Sequence, residues 1–304
     1  MPRKVLLQLD CDPHPSTFDA IVAIDAGVDV LLRHGGVTPD SCVPLVHGAM
    51  FTRGGDDLAS TAIFVGGSDV TAAEAITDRV RAAFFGPVRV GVMLDPSGAN
   101  TTAAAAVLAA ERHLPLETGA APPRRAVVLG GTGAVGQRVA RLLLRKGCRV
   151  TIVSRSRARA DAVVGRIAAQ TGLGAAALAA VEAHGTCAPG SALAAVLADA
   201  EVIVSAGAAG ATLLDAAGRA TAAAARVLID LNAVPPAGIE GLMMGDKGRA
   251  DGKSFVYGAL GIGGLKMRIH RAGIGRIFAT PAEFLDAEQL LGLGAALPGA
   301  TRER

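Results

Sequence analysis

The sequence predicts an α/β protein of two domains with a cleft between them. Three observations lead there: short apolar runs rich in Val, Ile and Leu, longer alanine-rich segments of helical period between them, and a break in composition near residue 120. Apolar runs alternating with helical segments are the pattern of a parallel sheet covered on both faces. A chain of 304 residues with 51% apolar content can bury two cores.

In the first part, strands are expected at residues 5–9, 28–32, 61–65 and 88–94. Helices are expected over 17–26, 71–85 and 100–111. Asp69 or Thr71 would open the second of these and Asn100 or Thr101 the third, because short polar side chains accept the free N–H groups of a first turn. The stretch LETGAAPPRR at 116–125 combines Gly, a Pro pair and two arginines, and is read as the domain boundary. This gives domains of 1–118 and 119–280, with the C-terminal helical segment 281–304 completing the first. Beyond the boundary, strands are expected at 126–129, 150–154, 202–205 and 227–231, and helices at 135–146, 158–171, 262–278 and 281–291. The alanine-rich tract 174–183 reads as a helix or loop.

Composition removes several function classes. Net charge is only +3 and aromatic content 3%, with one Tyr and no Trp, so there is little for nucleic-acid bases to stack on. No run approaches the ~20 uninterrupted apolar residues of a spanning helix. The first apolar run is broken by Asp10 and Asp12, too early for a signal peptide. Cys11, Cys42, Cys148 and Cys187 are scattered, with no CxxC pair and no histidine at zinc spacing. A soluble cytoplasmic protein without structural metal is expected, and its Ala- and Leu-rich helices suggest a homo-oligomer.

The segment RRAVVLGGTGAVGQRVARLLLRKG reads strand, glycine turn, helix, with Gly131, Gly133 and Gly136 in GxGxxG spacing. The first glycine is expected to permit the turn, the second to let backbone approach a pyrophosphate, and the third to let helix and strand pack, so that the helix N-terminus faces the anion. Gly131, Thr132, Gly133, Val135 and Gly136 are therefore cofactor-binding candidates in a Rossmann-type domain. The next strand ends at Ser154, where an NAD-preferring site would place a carboxylate for the ribose hydroxyls. Here Ser154, Arg155, Ser156 and Arg159 stand instead. A guanidinium grips a ribose 2′-phosphate that a carboxylate would repel, which favours NADP, with NAD as a possible second cofactor. Small residues Ala206 and Gly207 and the polar Asn232 end the later strands on the same carboxyl edge. Asp230 is either part of that edge or the cap of the following loop.

For chemistry, the sequence lacks a Tyr-x-x-x-Lys pair, a Gly-x-Ser-x-Gly elbow and zinc-protease motifs. Lysines are scarce, five among 30 basic residues, and Lys266 sits near a helix start, where the macrodipole disfavours a cation. It is the catalytic candidate. His270, on the same helical face, is read as a packed or capping histidine. In the first domain, Gln8, Asp10 and Asp12 end one strand, and Asp95, Ser97, Asn100, Thr101 and Thr102 follow another. Together they form a wall for a polar substrate.

These residues carry a resemblance. Asp19-x5-Asp25 after Pro-Ser-Thr-Phe, TRGGDDLASTAIFVGGSD, FFGPVRVGVMLDPSGANTTAAAA, VVLGGTGAVGQRVA and GALGIGGLKMRIHR, with DLNAVPPAGI before it, resemble the bacterial methylene-tetrahydromethanopterin dehydrogenases of one-carbon metabolism over roughly residues 4–290. The resemblance implies oxidation of an N5,N10-methylene tetrahydropterin to the methenyl form by hydride transfer to NADP. Lone-pair push from the pterin nitrogens expels the hydride, and no proton need move. It also implies that Lys266 is the active-site lysine and that Asp19, Asp95 and Thr102 contact the pterin, joining Asn100 from the polar wall. The turn reads Gly-Gly-Thr-Gly-Ala where the better-known members have Ala-Gly-Thr-Gly-Pro, and aromatic content is low. The carrier, tetrahydromethanopterin or tetrahydrofolate, is left open. Two alternatives stand beside this: an NADP-binding sensor without turnover, and a folate-type dehydrogenase that is also a cyclohydrolase. Against the second, the N-terminal domain has only Lys4 to help activate a water.

Overall fold

The structure, a computed structural model, describes residues 2–116, 119, 122–173, 177–183 and 190–301. Two compact units divide the chain, Met1–Thr101 with Lys266–Leu297, and Thr102–Leu265 with Pro298–Arg304. Two of the three divisions, 101/102 and 265/266, fall inside helices, none falls at 118/119 or 280/281, and Lys266 belongs with the first unit. Residues 117, 118, 120 and 121 of the expected linker, and Cys187, lie outside the described residues.

The first unit begins β1 (Val5–Asp10), α1 (Thr17–Asp25), β2 (Val30–His34), α2 (Cys42–Phe51), β3 (Thr61–Gly66), α3 (Val70–Ala83) and β4 (Gly91–Leu94), and the first division falls in α4 (Ala99–Glu111). The second runs through β5 (Arg125–Leu129), α5 (Ala134–Arg145), β6 (Arg149–Ser154), α6 (Arg157–Thr171), β7 (Leu178–Glu182), α7 (Ala192–Ala198), β8 (Val202–Ser205), α8 (Ala216–Thr221), β9 (Val227–Asp230), β10 (Lys247–Asp251) and β11 (Ser254–Tyr257). It ends in the long helix α9 (Ala259–Ala279), after which β12 (Phe284–Leu285) and α10 (Ala287–Ala295) follow.

Each unit is a sheet with helices. Among the described residues, the first sheet has the order β12-β4-β3-β1-β2, all parallel, and the second β10-β11-β9-β8-β5-β6-β7, parallel except for β10. Every residue of the central strand β3 is buried, as a parallel strand covered on both sides requires. In the first unit, Leu7, Leu9, Ile63, Val65, Val92 and Leu94 from the sheet pack on Val46, Met50, Ile76 and Val80 from α2 and α3. The second has its own core around Val127, Leu129, Ile203, Leu228 and Leu197. Among the described residues no helix is long and apolar enough to cross a membrane.

Three expectations are corrected. The part of tract 174–183 that is described forms strand β7, because pairing with β6 in register Val150↔Leu178 to Ser154↔Glu182 outweighs the helical preference of alanine. The last helix starts at Ala287, not 281, because Asp286 and Gln289 form a capping box there and the preceding residues pair with β4. The cap of α4 is neither Asn100 nor Thr101. Asp95 Oδ1 accepts their two backbone N–H groups, at 2.9 and 3.1 Å.

Candidate active site

In the second unit a pocket of about 640 Å³ opens over the β5–α5 turn, where parallel strands end and a helix begins. The turn works differently from the expectation. The left-handed residue is Gly130 (φ 68°), one before the fingerprint's first glycine, and a Cβ there would lie 2.5 Å from Gly207 Cα. Gly130, Thr132, Gly133 and Val135 line the pocket, whereas Gly131 and Gly136 do not. Gly133 is the N-cap of α5, so that helix's unsatisfied N–H groups face the space.

Ser154, Arg155, Ser156 and Arg159 line the same pocket with Ala206 and Gly207. Ser154 Oγ lies 3.4 Å from Thr132 Oγ1 and accepts the Ser156 N–H at 3.3 Å, tying the end of β6 to the glycine turn. Ser156 then caps α6. Arg155 and Arg159 are exposed, and Arg157 between them is paired with Asp161 at 2.9 Å. Asn232 does not line the pocket. Its side chain holds its own loop, donating to Pro236 O and accepting from Val234 N. Asp230 is likewise a loop cap, accepting from Asn232, Gly238 and Ile239 N–H groups. Backbone approach, a helix N-terminus and exposed guanidinium groups together suit the phosphates of a dinucleotide.

The first unit has a second pocket of about 430 Å³ at the carboxyl ends of β1, β3 and β4, lined by Asp12, Ser16, Phe18, Asp19, Gly98 and Lys266 among others. Lys266 Nζ stands 4.1 Å from the centre of the Phe18 ring. Burial lowers the lysine's pKa, and the charges of Asp95 and Asp19 work against that. One turn on, His270 is fully buried between Asp95 Oδ2, 3.6 Å from Nδ1, and Asp19 Oδ1, 4.0 Å from Nε2. Burial, and to a lesser degree Lys266, pushes the imidazole down to about 4 despite Asp95, so it is neutral at pH 7. It is packed, as one of the two expectations had it, and caps nothing.

Asp19 is 6% exposed, and its carboxyl is pushed up to about 6. Burial is the main cause and the Asp95 charge the next, with Asp10 adding a little, while a Ser16 hydrogen bond and Lys266 pull the other way. A carboxyl raised on folding holds its proton more tightly in the folded chain. Its contribution to stability is therefore full below about 3.8 and is lost as pH rises through about 6. Asp19→Asn should then stabilise the chain by about 2–3 kcal/mol at pH 8 and by little at pH 4, as read by denaturant titration. An equal gain at both pH values would contradict this origin of the shift.

Of the other expected substrate contacts, Asp95 is fully buried, and its oxygens take Asn100 N, Thr101 N and Thr101 Oγ1. Asn100 donates to Leu94 O at 2.6 Å and to Asp286 Oδ1 at 2.8 Å, a tie between β4 and the cap of α10. It is buried and does not line the pocket, and neither does the half-buried Thr102. Sequence reasoning missed Phe18 and Gly98 as site residues. A potential ligand group of Asp10, Cys11 and Asp12 lies nearby, but all four carboxylate oxygens already accept bonds from Asp12 N, Ser16 N and Ser68.

Gly98 (φ 64°) is what leaves room for the lysine. A Cβ there would stand 3.0 Å from both Cε and Nζ of Lys266. Gly98→Ala should lose about 1–2 kcal/mol to the left-handed backbone and also displace the ammonium. Gly36→Ala is the control, since Gly36 (φ 63°) has nothing within 4 Å of its Cβ position. Both variants should be less stable, but only Gly98→Ala should lose turnover. Equal turnover would show that Lys266 is not held by this contact.

Residues 17–97 match the family model described as methylene-tetrahydromethanopterin dehydrogenase, N-terminal, and residues 118–240 that of shikimate / quinate 5-dehydrogenase. The chain is 39% identical over 290 residues to the Bifunctional protein MdtA of Methylorubrum extorquens, covering 95% of this chain and 97% of that protein. It is 33% identical over 270 residues to the NAD(P)-dependent methylenetetrahydromethanopterin dehydrogenase of the same organism, covering 88% and 89%. Among solved structures, the quinate dehydrogenase of Corynebacterium glutamicum in complex with NAD aligns with a TM-score of 0.52 over 97% of this chain and 100% of that one. At 15% identity, that likeness is one of fold.

Proposed function

Because the chain belongs to the methylenetetrahydromethanopterin dehydrogenase family, we propose that it oxidises the methylene bridge of a reduced pterin carrier, tetrahydromethanopterin or tetrahydrofolate, to the methenyl form. NADP is the preferred acceptor and NAD the second. Support comes chiefly from the pocket that holds Lys266 and Asp19, in a chain whose second unit carries an arginine-flanked glycine turn. When bound, the nicotinamide takes the hydride.

The protein's own share is to hold and to stabilise. Gly130, Gly133 and the start of α5 bind the pyrophosphate, while Arg155 and Arg159 take the 2′-phosphate. In the first unit, Lys266 offers N–H donors to the pterin. Loss of a hydride leaves a delocalised cation on the carrier, and the carboxylates of Asp19 and Asp95 favour that charge. Rate should therefore rise with pH through about 6 as Asp19 ionises. A cyclohydrolase is not favoured, because the single tyrosine, Tyr257, is buried with its hydroxyl 2.7 Å from His113 Nε2.

The test is an initial-rate assay with methylene-tetrahydromethanopterin and methylene-tetrahydrofolate, each with NADP and NAD, following the reduced nicotinamide. Turnover with NADP supports the reaction, and the ratio between carriers names the substrate. Protein that binds NADP and turns over neither carrier would be a sensor.

A further inference from the structure

We propose that His270 is a positioning residue of the Lys266 pocket: an imidazole set between Asp19 and Asp95 that separates the two carboxylates and turns an N–H dipole toward Asp19. The inference rests on the dehydrogenase reading for its kinetic consequence but not for its geometry.

His270 is fully buried, yet neither ring nitrogen has a hydrogen-bond partner among the described residues. Buried polar atoms nearly always have one, and a leucine or phenylalanine would fill the same space without leaving two orphans. The ring is held in place. It stacks on Phe64 of β3 with centroids 5.6 Å apart and planes at 12°, and Phe18 lies tilted against it at 6.4 Å. So fixed, it points one nitrogen at each carboxylate, 3.6 Å from Asp95 and 4.0 Å from Asp19.

The charged and titratable groups acting here come from every neighbouring element. Asp19 lies on α1, Asp95 follows β4, Lys266 is one turn back on α9, and Asp10 at the end of β1 acts on Asp19. Asp95 accepts three hydrogen bonds from the start of α4. Asp19 is the group whose charge is contested, since Asp95 opposes it and Lys266 favours it. A neutral imidazole turns its N–H toward one carboxylate and its lone pair toward the other; with the proton on Nε2 the N–H faces Asp19, while Asp95 keeps its three donors from α4, and an apolar ring would offer Asp19 no such dipole. Replacing it should make the second negative charge harder to place.

His270→Phe should move the acid limb of kcat/KM, set by Asp19, upward by about half a pH unit or more, and His270→Gln, which keeps a donor, by less. The titration of Asp19, followed by NMR of carboxyl-labelled protein and assigned by its loss in Asp19→Asn, should shift the same way. That second readout does not depend on turnover, so failure of the dehydrogenase reading and failure of this inference are distinguishable. A merely structural role would lower stability and leave both titrations in place. An unmoved Asp19 titration in folded His270→Phe overturns the proposal. If the phenylalanine chain does not fold, an unmoved titration in His270→Leu, which also lacks a donor, does so.

Discussion

Lys266→Met is expected to lower turnover about 100-fold or more while leaving NADP affinity unchanged. Methionine keeps most of the side chain's length and its packing on Phe18, so the change removes charge and donors more than volume. Two effects add. The pterin loses an oriented N–H donor, and Asp19 loses the cation that favours its charged form, so its carboxyl rises further. The acid limb of the pH profile should therefore move up in the same variant. The residues of the dinucleotide pocket are untouched, and NADP binding by fluorescence or calorimetry should be that of the parent chain. A rate within about threefold of the parent would remove Lys266 from the site.

Cofactor choice gives the second large effect. Arg155→Ser with Arg159→Ser should raise the KM for NADP by about 10–100-fold per arginine, because a charge-assisted hydrogen bond to phosphate is worth about 1.5–3 kcal/mol. The KM for NAD, which lacks that phosphate, should stay within about threefold. Arg157→Ser is the internal control. Its guanidinium is engaged by Asp161 one helical turn away, so it should change neither constant appreciably. Equal losses for both cofactors would mean that the two arginines support the turn instead of reading the ribose.

Most of the alternation of strand and helix was legible because Val, Ile and Leu runs in a parallel sheet are buried on both faces and leave no ambiguity of period. Helix α2 was legible too but was not read. Cys42, Val46, Ala49 and Met50 mark one helical face, and Pro44 lies in the first turn, where its missing N–H is harmless. Strand β7 could not be read from LAAVE alone, since only pairing with β6 makes a strand of it.

At the sites, the glycine turn and its arginines followed from spacing, but Asn232 and Asp230 could not be told from loop fasteners without the loop. Lys266 stood out by rarity. The chemical partners that shift its pKa come from residues 19 and 95, a separation that no local pattern carries. Phe18 gave one signal, an aromatic beside Asp19 in a chain with eight Phe.

The tie from Asn100 to Asp286 spans 186 positions, and β12 is the strand that covers β4. On the ribosome, then, the first sheet waits. Until residue 285 has been made, β4 is an open edge with unpaired backbone groups, a template for pairing with another chain. The second unit's strands, by contrast, are all in hand by residue 257. Synthesis order thus makes β12 and α10, residues 284–295, guardians of the nascent first sheet, and a nick ahead of them leaves the edge of β4 open to another chain.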